Sequence, residues 1–270
     1  MSPASPPAAL PRRRLPTSAL LGVIVVAAAA TAVAPFRLAG FGGGEGYADL
    51  PTLEGVVRAG FVRWARSRGS LDGPLLEAVD FWTRFHVIKA ALATVMLLGA
   101  VAVGRRLARP DALRDRRAGI VAPFDRPALA GLALLALLVV VANVQGAIAP
   151  LASLVGVLPL AAPDPELARA LAQLRDAVAS GSGAGAALLE DFRHYHVAMS
   201  ALAALAALWF VRRVIARMVR RRRTGGPPAR SRCALAEPVG ALCFGVVAAA
   251  NLSTALDPVP ALQALLAGGS

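Results

Sequence analysis

Lysine is almost missing from this chain: of 29 basic residues only Lys89 is a lysine, and the rest are arginine. That bias, with the excess of Ala, Gly and Pro, points to a GC-rich bacterial genome. Cysteine is as sparse. Cys233 and Cys243 stand ten residues apart in an apolar stretch; on one helix that is about 15 Å, too far for a disulfide. No CxxC and no Cys/His zinc spacing occurs, which excludes a structural zinc site of that kind. The catalytic signatures are missing too: there is no Walker sequence, no GxGxxG, no Gly-x-Ser-x-Gly and no HExxH. Period-two alternation is lacking as well, and Ala-rich runs make poor strands. Acidic residues avoid the interior of the apolar runs, which argues against proton- or ion-coupled transport.

What remains is hydrophobic length. The 270 residues are 57% hydrophobic but only 5% aromatic, with the apolar residues gathered in long Ala/Leu/Val runs. A helix needs ~20 such residues to cross a bilayer. Five segments qualify: Ser18–Pro35, His86–Gly104, Ala128–Ala149, Val197–Val211 and Leu235–Ala250. The last two are short and are expected to extend at their ends. The sequence therefore predicts an all-α membrane protein with five transmembrane helices.

The net charge of +13 follows from topology rather than from nucleic-acid binding. Nineteen arginines fall before the first run, after the second and after the fourth, among them Arg12 to Arg14, Arg105, Arg106 and Arg220 to Arg223. The intervening segments, Phe36–Phe85 and Ala161–Tyr195, hold nine arginines against eleven acids. By the positive-inside rule the N-terminus is cytosolic and the C-terminus extracytoplasmic. The arginine loops are expected to attract anionic lipid headgroups, at ~1 kcal/mol per residue near the surface. Ser18–Pro35 also has the makings of a signal peptide, ending Ala32-Val33-Ala34. Pro35 directly after the alanine disfavours cleavage, so an uncleaved anchor is the better reading.

The chain also repeats itself. Leu75-Leu-Glu77 and Leu188-Leu-Glu190 precede Trp82-Thr-Arg-Phe-His86-Val and Phe192-Arg-His-Tyr-His196-Val. Further on, Val141-Ala-Asn143-Val-Gln145-Gly-Ala147-Ile-Ala-Pro150 matches Ala249-Ala-Asn251-Leu-Ser253-Thr-Ala255-Leu-Asp-Pro258. The offsets are 110 at the histidines and 108 at the asparagines, so the copies stay nearly in register. An organisation follows. Residues 1–17 form a disordered basic tail, and 18–35 the anchor. Residues 36–85 are an extracytoplasmic loop with an amphipathic helix, and 86–160 the first repeat. Residues 161–193 are a second extracytoplasmic loop, and 194–270 the second repeat. The expected architecture is the anchor plus a four-helix bundle from two parallel-oriented hairpin repeats. Amphipathic helices are expected from Leu53 to Arg68 and Pro165 to Ala179, and short interfacial helices after Pro150 and Pro258.

In that bundle His86, His196, Asn143 and Asn251 could converge at the extracytoplasmic end, with Asp80, Asp191, His194 and Lys89 as polar neighbours. The plainer reading is structural: asparagines bridge helices and histidines mark the water boundary. A sharper reading makes His86 and His196 axial ligands of a haem, with Arg84 and Arg193 on its propionates, or ligands of a metal ion. A small-molecule or lipid transporter is a third. On balance no cofactor is predicted and an enzyme is not the favoured class.

The motifs Arg84-Phe-His86-Val, Asn143-Val-Gln-Gly, Tyr195-His196-Val and Asn251-Leu-Ser-Thr with Asp257-Pro258 resemble a group of uncharacterised actinobacterial multi-pass membrane proteins. The resemblance covers most of the chain after the first span. It implies kinship, and no activity or catalytic residue; the location expected from the chain itself is a bacterial plasma membrane.

Overall fold

Every regular element among the described residues is an α-helix. The computed structural model describes residues 15–41, 47–67, 71, 73–107, 125–224 and 233–268. The basic N-terminal tail, the glycine-rich link after the first span, and the arginine loops of 108–124 and 225–232 lie outside them. The order is α1 (Thr17–Ala39), α2 (Leu50–Ser67), α3 (Gly73–Leu107), α4 (Asp125–Ile148), α5 (Pro150–Val155), α6 (Pro165–Ser180), α7 (Gly183–Thr224), α8 (Cys233–Leu256) and α9 (Val259–Leu266). Among the described residues, α1, α3, α4, α7 and α8 are long and apolar enough to cross a membrane. The protein is an all-α, multi-pass membrane protein.

Three of these helices outrun the apolar segments that mark them. The 42 residues of α7 extend for roughly 63 Å, about twice the hydrocarbon thickness. The apolar part, Val197–Val211, is only its middle. Before it lies a polar-faced stretch carrying His194 and His196, and after it a run of arginines that ends the helix. Likewise α3 begins at Gly73, well before His86, and α8 begins at Cys233, so Pro238 lies inside that helix rather than opening it.

Packing divides the chain into two units, Met1–Ala32 with Ala91–Val139, and Val33–Ala90 with Val140–Ser270. In the first unit Ile24 and Ala27 of α1 pack with Met96, Ala100 and Val103 of α3 and Ala136 of α4. Small residues let these backbones approach, as membrane helices require. A Cβ at Gly99 would meet Ile24 Cγ1 at 2.7 Å, so the isoleucine occupies the notch that the glycine leaves.

The second unit holds the larger core. Leu53, Val57, Phe61 and Trp64 line one face of α2, and Leu167, Leu171, Leu174 and Val178 one face of α6. These faces join Leu75, Phe81 and Phe85 of α3, Leu154 and Val155 of α5, Leu188 and Phe192 of α7, and Leu262 and Leu266 of α9. We call this the cap. The i, i+3, i+4 spacing of the apolar residues commits α2 and α6 to it. Each fully buried Leu or Phe contributes about 1.5–3 kcal/mol, where water is the alternative. The short helices after Pro150 and Pro258 add Leu151, Leu154 and Val155, and Leu262 and Leu266, to this core.

Two aspartates fix where the cap helices start. Asp49 Oδ1 accepts from the Thr52 backbone N–H at 2.9 Å and from its hydroxyl at 2.6 Å. Asp164 N-caps α6, accepting from the N–H groups of Glu166 at 3.0 Å and Leu167 at 3.2 Å. Its other oxygen takes Arg58 Nε of α2 at 2.6 Å, and Arg58 and Arg66 also reach Glu166. The Arg58 hydrogen bond, with the Leu167 amide next, holds the Asp164 carboxyl well below the ordinary carboxylate range. A depressed carboxyl stabilises the fold above its unfolded value, 3.8, and that contribution disappears as pH falls through the lower folded value. Asp164→Ala should therefore lower the melting temperature at neutral pH. The gap to the unsubstituted protein should narrow progressively as pH drops below about 4. Thermal unfolding between pH 7 and pH 2.5 measures this, and a gap constant with pH would contradict it.

α7 and α8 form an antiparallel hairpin within this unit. Ser200 Oγ donates to the Ala248 carbonyl at 3.0 Å, and Phe210 stacks on Phe244 with centroids 5.8 Å apart. Gly240 makes room for Phe210: a Cβ there would lie 2.9 Å from the ring. Away from this seam, Leu205, Leu208, Ile215, Val239, Leu242 and Val246 are exposed, the surface expected against lipid.

Candidate functional site

Two histidine–asparagine pairs sit at the cap ends of the hairpins. In the first, His86 Nδ1 of α3 lies 2.9 Å from Asn143 Oδ1 of α4. An amide oxygen can only accept, so Nδ1 carries the proton and Nε2 is left as the acceptor. Ser153 Oγ of α5 stands 3.5 Å from Nε2, and Trp82 Nε1 donates to the same Oγ at 3.0 Å. The result is one directed chain, from the Trp82 indole through Ser153 and His86 to Asn143. The imidazole edge lies on α4 at Gly146, where a Cβ would come within 2.5 Å of Nε2. Asn143 is buried, as is Gln145 beside it.

In the second pair His196 Nδ1 of α7 lies 2.9 Å from Asn251 Oδ1 of α8. Asn251 Nδ2 donates to the Val247 carbonyl at 2.9 Å, which fixes the amide orientation and so the Nδ1–H tautomer of His196. Both imidazoles are held by aromatic rings one and four residues earlier. Trp82 and Phe85 meet His86 edge-on at 4.7 and 5.3 Å, while Phe192 and Tyr195 meet His196 at 4.5 and 5.0 Å. Helical spacing puts the i−4 ring and the histidine on one face.

The pairs differ in one linked respect. At the offset of Trp82 the later segment has Phe192, and at the offset of Ser153 it has Ala261. Donor and hydroxyl are thus exchanged together for groups that need no partner. Thr254 stands at the offset of Gly146 and bonds its own helix, to the Ala250 carbonyl at 3.2 Å.

The other predicted polar neighbours are not gathered into one cluster. Asp191 Oδ2 accepts from the Ala152 N–H at 2.7 Å, so α7 caps α5. His194 is exposed and pairs with Glu190 at 3.2 Å, as does Arg193 at 3.0 Å. Lys89 Nζ lies over the Phe85 ring, 5.1 Å from its centroid. Asp80 is exposed. Among the described residues no group of three or more His, Cys, Asp or Glu is placed to hold a metal ion. His86 Nδ1 is held by Asn143, while Nε2 has Ser153 Oγ at 3.5 Å and α4 at Gly146 beside it.

Ser153, Trp82 and Gly146 are the site residues that sequence reasoning missed. The signal was available in the paired exchange of Trp82 and Ser153 for Phe192 and Ala261. No protein-family model, curated protein or solved structure matches this chain.

Proposed function

We propose that this protein is a non-catalytic membrane scaffold built from a duplicated helical hairpin. In this reading the His86–Asn143 and His196–Asn251 pairs clamp each hairpin, and the cap is presented on the extracytoplasmic side. The arginine-rich ends of α3 and α7 then face the cytosol, as the alternation of arginine-rich segments requires. Asp191, accepting from the Ala152 N–H of α5, ties the second hairpin to the first.

The observation that carries the reading is the saturation of His86. An imidazole that donates to an asparagine, receives a serine and rests on a helix backbone is used for position. A nucleophile, a general base or an iron ligand would need one nitrogen open. Transport has less support: α3, α4 and α7 run through unbroken, whereas membrane transporters build their sites from interrupted helices.

A double-mutant cycle on His86→Ala and Asn143→Ala in detergent tests the clamp. A coupling of about 0.6–2 kcal/mol is expected, the range for interhelical hydrogen bonds in membranes. The same preparations, made with haem precursor supplied, should give a featureless oxidised-minus-reduced visible spectrum. A Soret band lost in His86→Ala or His196→Ala would establish a cytochrome and overturn the scaffold reading.

A further inference from the structure

The far end of the α7–α8 hairpin holds a second polar arrangement, one that the scaffold reading does not use. Arg213 Nε and Arg217 Nη2 of α7 both donate to Oε1 of Glu237 on α8, at 3.0 and 2.8 Å. Arg213 is further fixed over the Trp209 ring, 5.0 Å from its centroid. The Glu237 side chain is only 9% exposed, and its Oε2 is buried with no hydrogen-bond partner. Beside it a groove of about 430 Å³ is lined by Arg212, Arg213, Ala216, Arg220 and Glu237.

We propose that this groove binds the head of a phospholipid that carries a hydrogen-bond donor next to its phosphate, such as an ethanolamine or glycerol headgroup. Three features converge on that chemistry. First, the groove is strongly cationic: Arg212, Arg213 and Arg220 line it and Arg217 borders it, against the single carboxylate of Glu237. Arginine suits phosphate because its planar fork binds two oxygens at once. Second, the unpartnered Oε2 calls for a donor. A buried charged acceptor left unmade is costly, and a phosphate alone would repel it. An ammonium or hydroxyl group a few bonds from the phosphate satisfies both ends once the Glu237 carboxylate, which lines the groove, turns its buried Oε2 toward it. Third, the groove lies where α7 changes from apolar to charged after Val211, opposite Glu237 near the start of α8. That is the headgroup level of a bilayer. Exposed Leu208, Val239 and Leu242 continue from it as a surface for acyl chains.

Native mass spectrometry of the full chain in detergent tests this, with phosphatidylethanolamine, phosphatidylglycerol and phosphatidylcholine of identical acyl chains. The first two should be retained about tenfold more than phosphatidylcholine, which has the phosphate but no donor. Arg212→Gln and Arg220→Gln should each weaken that retention roughly fivefold, the effect of one cation near a phosphate. Arg212 takes part in no ion pair among the described residues, so its substitution leaves the Glu237 pairs intact. Equal retention of the three lipids, or indifference to both substitutions, would mean an unselective lipid shell and overturn the proposal. Displacement of bound lipid by an equal concentration of soluble phosphoethanolamine would overturn a lipid as the occupant. Persistence of the bound lipid would uphold it.

Discussion

A single methyl group at Gly185 should unfold the cap. α7 starts directly after α6, across the two-residue turn of Gly181 and Ser182, and its first turn lies against the last turn of α6. A Cβ at Gly185 would come within 2.1 Å of the Ala177 carbonyl carbon, 2.3 Å of Val178 N and 2.4 Å of the Ala177 oxygen. These are backbone atoms, so no side chain can swing aside. The same Ala177 oxygen accepts the Ser182 N–H at 3.0 Å, closing α6 around Gly181 in the left-handed conformation. Relief of the clash therefore breaks the helix cap as well. We expect Gly185→Ala to cost about 3 kcal/mol or more, at or beyond the upper end for overpacking. Gly55→Ala is the control: nothing lies within 4 Å of a Cβ there, and the position is inside α2. That change should stabilise by about 0.5–1 kcal/mol. Unfolding of both variants in detergent, followed by circular dichroism, decides the matter. If Gly185→Ala melts with the unsubstituted protein, the close approach of α6 and α7 is not as described.

Much of this architecture is legible in the chain because its signals are local. The apolar runs announce five helices of spanning length. The spacing of Leu53, Val57, Phe61 and Trp64, and of Leu167, Leu171, Leu174 and Val178, announces the faces that build the cap. The roughly equal distances from His86 to Asn143 and from His196 to Asn251 place each pair at one end of an antiparallel hairpin. Helix length was less legible. An apolar run ends where polar residues begin, but a helix ends only where its backbone bonds do, so α7 reaches from Gly183 to Thr224 around a short apolar middle. Partners across elements were hidden for a different reason. Asp80 and Asp191 both precede a histidine, yet the offset that aligns His86 with His196 puts Phe81, not Asp80, opposite Asp191. Phe81 is accordingly in the core while Asp191 caps α5. The role of Glu237 depends on α7 placing Arg213 and Arg217 opposite it, which no spacing within α8 could reveal.

The Glu237 cluster should respond to substitution in an unusual order. Either arginine alone can be lost at modest cost, since the other keeps Oε1 occupied. Removal of both, as Arg213→Met with Arg217→Met, leaves a buried carboxylate with no partner on either oxygen. Methionine keeps the apolar stem that each arginine contributes, so the loss isolates charge rather than packing. Breaking a buried pair from one side costs about 3–5 kcal/mol, because the remaining charge stays desolvated. The low end applies here, since the Arg213 side chain is 51% exposed and its departure admits water. Adding Glu237→Leu to the double variant should then restore most of the stability, because an apolar replacement of the whole cluster removes the desolvation cost along with the attraction. The rescue separates two accounts of the site. If the cluster only joins α7 to α8, the triple variant is stable and behaves like the unsubstituted protein in a lipid-binding titration. If the groove takes a headgroup with a donor, the triple variant is equally stable but has lost the preference for phosphatidylethanolamine over phosphatidylcholine. Failure of Glu237→Leu to rescue would show that the arginines stabilise the hairpin through contacts other than the carboxylate.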